Sequence, residues 1–282
     1  IGVQSKGGEM RLFRRVLLRF AALLALAALA LVSVGPGIVE SARNRITVDE
    51  PWPEIASPAA DLHARLVIGD WHADSLLWNR DLTERGTRGH VDFPRLIEGN
   101  VALQVFTAVT KSPAGQNYQS NSAEALDTIT PLAIGQLWPP RTWTSLEARA
   151  LYQAERLQDF IARSDGAVRL IDSRAALEQF LSDRAAGQVS LGAILGIEGG
   201  HALEGDLAAL DRLEAAGYRL VGLQHFFDNE LGSSLHGQSD EALTDFGRQV
   251  VAEIVPRGML LDLAHASPQV AREVMEITDI PL

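Results

Sequence analysis

The sequence opens with its longest uncharged stretch. Across positions 20–39 no charged residue occurs, and Arg11, Arg14, Arg15 and Arg19 stand in front of it. About 20 apolar residues is the length that crosses a bilayer as a helix. A cleaved secretory signal has the same basic start but a shorter apolar core and a small-residue cleavage site, for which Ser41 and Ala42 are a poor match. Length therefore favours an uncleaved membrane anchor over 10–40. The arginines would stay cytoplasmic, and the rest would be exported to the periplasmic or extracellular side. Positions 41–59 are polar and carry Pro51, Pro53 and Pro58, which suits an extended linker. The folded domain is expected over 60–282.

Within that domain, short apolar runs alternate with helical patterns. The runs 66–69, 101–108, 191–197, 219–223 and 259–263 read as buried strands. Asp206 is placed to cap a helix stopped by Gly217, Thr244 a helix carrying Val250, Val251 and Ile254, and Ser267-Pro268 opens another. Strands alternating with helices of this length predict successive βαβ units and a parallel sheet. The segment 111–143, with Pro113, Gly115, Pro131, Pro139 and Pro140, fits no repeat unit and reads as a long excursion over one end of the sheet. A helix over 145–164 follows it.

Composition narrows the function classes. A chain of 282 residues, 46% of them hydrophobic, buries a sizeable core. A net charge of −11, with no basic stripe outside the N-terminus, argues against nucleic acid as a partner. The absence of cysteine excludes disulfides, thiolate metal ligation and cysteine nucleophiles.

The candidate chemistry sits where the expected strands end. The first runs into His72-Ala73-Asp74, the run from 191 into Glu198-Gly199-Gly200, that from 219 into Gln224-His225, and that from 259 into Asp262-Leu263-Ala264-His265. In a closed parallel barrel the C-terminal strand ends converge on one mouth. His72 and Asp74, two apart, point to the same side. Imidazoles and carboxylates without sulfur suit a cation such as zinc, in a site open to hydrolytic chemistry. Each motif alone is weak, and HxD is more often a structural pair. Their coincidence at four strand ends carries the argument. A second HxD, His90 and Asp92, has no strand leading into it and reads as structural or as part of the rim. His63 and His236 read as surface or loop residues, and His201 has no assignable partner.

WHADSLL, GHVDFPRL with QVF after it, GIEGGH, the strand-ending LQH, LTDFGRQVV and LDLAHAS stand in the order and approximate spacing of the membrane dipeptidase family, the renal-dipeptidase-like zinc peptidases. The chain resembles that family from about residue 66 to its end. The resemblance implies a (β/α)8 TIM barrel with a binuclear zinc site that hydrolyses dipeptides. Carried over by motif, His72 and Asp74 would bind one Zn2+, Glu198 would bridge both, and His265 would bind the second. His225 would match the family's active-site histidine, which contacts substrate and polarises the reacting centre. The family's other histidine ligand and a substrate-handling aspartate would fall beyond Leu282. The resemblance thus implies the N-terminal portion of a barrel, about five strands and the start of a sixth, and leaves open the activity of this length of chain. A homodimer is compatible with this reading. Two alternatives remain. One is another binuclear-metal barrel hydrolase, although such enzymes typically bridge their metals with lysine where this strand offers Glu198. The other is a membrane-tethered binding module or inactive remnant, against which the four visible ligands stand.

Overall fold

The apolar runs pair side by side in one parallel sheet. A computed structural model describes residues 5–47 and 53–282. Its strands are β1 (Ile68–Ala73), β2 (Val101–Val109), β3 (Val168–Leu170), β4 (Leu191–Glu198), β5 (Tyr218–Gly222) and β6 (Leu260–Asp262). The path runs β1-β2-β4-β5-β6, every pair parallel. β2 lies along β4 from Gly192 to Glu198. The other edge of β4 is therefore shared, by β3 at Leu191–Ala193 and by β5 at Leu195–Ile197. The sheet is a TIM-barrel-like half-barrel.

Alternation along β4 divides the core. Ala193, Leu195 and Ile197 pack with helix-borne residues such as Leu157, Leu210 and Ile254, whereas Ile194 packs with Val105, Leu220 and Phe180 on the opposite face. All eight β4 residues are buried, as a parallel strand covered on both faces requires. The approach is close at Gly192, where a Cβ would lie 2.7 Å from Leu103 Cδ2 and would have to displace that side chain.

The helices are α1 (Ser5–Arg43), α2 (Ser57–His63), α3 (Phe93–Glu98), α4 (Ile129–Gly135), α5 (Leu146–Ala162), α6 (Arg174–Ala185), α7 (Ala209–Ala215), α8 (Asp245–Arg257) and α9 (Pro268–Ile277). Thr244 and Ser267 cap α8 and α9 by accepting from Gly247 N and Val270 N. Asp206 does not cap α7. Its carboxylate accepts from Ala208 N in a turn before the helix, which starts later than expected. β3 is only three residues long and carries no periodicity in the sequence. β1 extends to Ala73, so His72 lies within the strand. Of the second HxD, Asp92 caps α3 and accepts from Gly86 N, Arg95 N and Arg95 Nε, while His90 is exposed beside it.

α1 continues past position 40 and docks on the domain. Glu40 is buried, with Arg80 Nε at 3.2 Å and Arg88 Nη2 at 2.9 Å, and Gly89 N donates to Asn44 O. The start of the expected linker is thereby held against the domain. Its positions 48–52, including Pro51, lie outside the described residues, and Ser57–Ala59 belong to α2. The excursion 111–143 is fastened by Arg149 of α5, which is 2% exposed and donates to Thr110 O, Thr142 O and Asp127 Oδ2.

Candidate metal centre

Because the strands are parallel, their C-terminal ends lie on one side of the sheet, and the four strand-end motifs meet there. His72 is on β1, and Asp74 begins the 3-10 turn after it. Glu198 is the last residue of β4, on the face that carries Ile194. His225 and His265 each stand three residues beyond β5 and β6. His72 Nε2 is 3.1 Å from Asp74 Oδ1 and 3.5 Å from Glu198 Oε1. Glu198 Oε1 is also 3.2 Å from His265 Nε2, and its Oε2 is 3.3 Å from His225 Nε2. Two overlapping groups result: His72, Asp74 and Glu198, and Glu198, His225 and His265. Within each, one ligand atom per residue lies within 4.8 Å of the others.

Local structure aims these groups. Gly199 has φ 95°, and a Cβ there would meet His201 Cε1 at 2.3 Å, so only glycine lets the chain turn directly after Glu198. His265 itself has φ 66°, a conformation uncommon for non-glycine residues that collects at functional sites. Its carbonyl accepts from Leu235 N and helps hold it there. Thr107 Oγ1 donates to Asp74 Oδ1 at 2.5 Å. His225 Nδ1 lies 3.1 Å from Lys111 O. A carbonyl only accepts, so Nδ1 carries the proton, and the neutral ring turns its Nε2 lone pair toward the Glu198 carboxylate.

Around Glu198 and His225, which are buried while His72 stays exposed, lone pairs facing lone pairs need protons or a cation between them. Burial alone would raise the Glu198 carboxyl, but hydrogen bonding to His265 and the charges of His72 and His265 hold it below the usual carboxylate range. Hydrogen bonding to Asp74 raises His72 to about 9 against the effect of burial. Burial holds His225 low, keeping it neutral. An acceptor-rich set of imidazoles and carboxylates without sulfur matches the donors of a borderline divalent cation.

Two histidines differ from the sequence reading. His236 lies in a loop as expected, but is buried there, 3% exposed. Asp228 gathers Ser234 N, Gln238 N and Ser239 N, folding the loop so that the His236 ring stacks 4.8 Å from Phe226 and lies 5.1 Å from His265. His201 has a partner, Thr110 Oγ1, 3.0 Å from its Nε2, and burial pushes its pKa down to about 3. His63 is exposed, with Nε2 3.0 Å from Gly99 O. Thr107, Thr110 and the Lys111 carbonyl carried no sequence signal, since their role depends on which strand lies beside which.

Residues 56–282 match the family described as membrane dipeptidase, peptidase family M19. Among curated relatives, uncharacterized dipeptidase C965.12 of Schizosaccharomyces pombe is 24% identical over 205 residues, 71% of this chain and 44% of the relative. Dipeptidase aclJ of Aspergillus oryzae is 25% identical over 240 residues, 80% of this chain and 51% of the relative. This chain thus spans about half the length of the curated relatives it matches. A metallo peptidase from Rhodobacter sphaeroides, solved with a phosphinate mimic of the dipeptide L-Ala-D-Ala, superposes with a TM-score of 0.56 at 23% identity. The match covers 77% of this chain and 64% of that one, and shows a shared fold.

Proposed function

Since the chain belongs to the membrane dipeptidase family M19, whose members are metal-dependent peptidases, we propose that it serves a zinc-dependent dipeptidase anchored by α1 with its domain on the exported side. The observation that carries this reading is Glu198, one carboxylate shared by two groups of imidazole and carboxylate donors. His72 and Asp74 would hold one zinc ion, Glu198 would bridge to a second, and His265 would complete this chain's share of that second site. When bound, zinc supplies Lewis-acid polarisation and makes water a competent nucleophile near neutral pH.

The chain's own residues do the rest. Thr107 fixes the rotamer of Asp74, and the Lys111 carbonyl fixes the tautomer of His225. Nε2 is then the His225 atom that meets substrate. As a neutral ring it accepts from a substrate N–H. Once it has taken up a proton in the course of the reaction, it donates to the oxygen on which charge develops. The excursion 111–143 closes one side of the pocket through Asn121, which donates to His236 O, and Tyr118, whose carbonyl bonds His236 Nδ1.

The test is hydrolysis of L-Ala-D-Ala, with added zinc, by the purified protein carried through the full length of its M19 relatives. Release of free alanine, lost with a chelator and in His72→Ala, is the expected result. Hydrolysis indifferent to both would overturn the proposal.

A further inference from the structure

The register between α1 and the excursion points to a second contact with the membrane. The uncharged run 20–39 is bounded by Arg19 and Glu40. At 1.5 Å per residue it is about 30 Å long, equal to the hydrocarbon thickness, which leaves little slack. If α1 crosses the bilayer, Val39 lies near one boundary and Val32 about 10 Å inside it. Those are the turns on which α4 packs. Pro36 Cγ is 3.5 Å from where a Cβ on Gly135 would stand. A cavity of about 470 Å³ between the helices is lined by Val32, Pro36 and Val39 on one side and by Pro131, Leu132 and Ile134 on the other.

The segment around α4 has the composition of a lipid-facing element. Positions 128–140, between Asp127 and Arg141, carry no charge. Its threonine and glutamine side chains are engaged: Thr128 Oγ1 donates to Ser112 O, Thr130 Oγ1 to Asp127 and Gln136 Nε2 to Leu77 O. Yet the segment exposes Pro131, Ile134 and Leu137, the last at 70%. Leu137 also has φ 57°, so a leucine occupies a conformation that favours glycine while covering nothing in the protein.

We propose that α4 and the turn at Leu137 are immersed in the membrane leaflet beside the C-terminal end of α1, with lipid acyl chains covering Ile134 and Leu137. The inference rests on the reading that α1 spans the membrane. The excursion leaves the C-terminal end of β2, the end that carries the metal centre, so the pocket is held close to the lipid surface.

The chain has no cysteine, so single-cysteine spin labels test this in the full chain in phosphatidylcholine vesicles. Labels go at Leu24→Cys in α1, at Ile134→Cys and Leu137→Cys, and at Val189→Cys, which is 74% exposed at the opposite end of the sheet, before β4. Collision with oxygen, concentrated in lipid, is compared with collision with water-soluble chromium oxalate. Labels at 24, 134 and 137 are expected to favour oxygen and that at 189 chromium, a several-fold reversal of the ratio. A lipid-exposed label at 24 with 134 and 137 matching 189 overturns the inference alone. Protection of 134 and 137 from both reagents means a protein partner covers them, and overturns it too. A label at 24 open to chromium overturns the anchor and the inference together.

Discussion

At the scale of single residues, the proposed ligands were legible because each stands where an apolar run ends. His72-Ala73-Asp74 and Glu198-Gly199-Gly200 put polar groups at points where packing has no use for them. What supports those ligands was not legible. Thr107 reaches Asp74 across the β1–β2 pair, the Lys111 carbonyl orients His225, and His236 enters the pocket through a loop ordered by Asp228. Each depends on three-dimensional neighbours rather than spacing. Thr107→Val keeps the shape of the side chain and removes the hydrogen bond to Asp74. Zinc affinity, measured by competition with a chromophoric chelator, should fall about 10–100-fold with little change in melting temperature. Unchanged affinity would mean that Asp74 is placed without Thr107.

At the scale of elements, β2, β4, β5 and β6 declared themselves by apolar runs, and the Thr244 and Ser267 caps marked two helix starts. β3 is too short for its pattern to show. The excursion read as loop because its order comes from the ion pair of buried Arg149 with half-buried Asp127 rather than from periodicity. Burial would raise the Asp127 carboxyl, but bonds from Thr130, Ile129 N, Arg149 and Ser112 N lower it below its ordinary value. A lowered folded pKa gives stability that is present above the unfolded value, near 3.8, and lost as pH falls through the folded value. Asp127→Asn leaves the Arg149 guanidinium buried without its counter-charge, and should cost about 3–5 kcal/mol at pH 7 by denaturant unfolding. The gap between wild type and variant should narrow below about pH 4. A gap constant from pH 7 to pH 3 would show that the Asp127 charge is not what fastens the excursion.

At the scale of the whole molecule, the parallel half-barrel and the family were both readable from the order of motifs, whereas the junction with α1 was not. Proline-bearing polar sequence suggested a free linker from position 41, but Glu40 is clamped by Arg80 and Arg88. Removing residues 1–42 should therefore do more than release the domain from the membrane. It leaves Arg80, 11% exposed at its side chain, without its carboxylate. The truncated chain should lose about 1–3 kcal/mol relative to one that begins at Val39 and keeps Glu40. Equal stability of the two would make the clamp incidental. The central claim is that Glu198 joins two metal sites while His225 serves the substrate. Elemental analysis of zinc in the purified wild type, Glu198→Gln and His225→Ala tests it most directly. In the protein carried through the full length of its relatives, wild type and His225→Ala are expected to retain the same zinc, with turnover lost only in the variant, while Glu198→Gln loses metal from both sites. Equal zinc loss in the two variants would make His225 a ligand, and full zinc retention in Glu198→Gln would contradict the shared carboxylate itself.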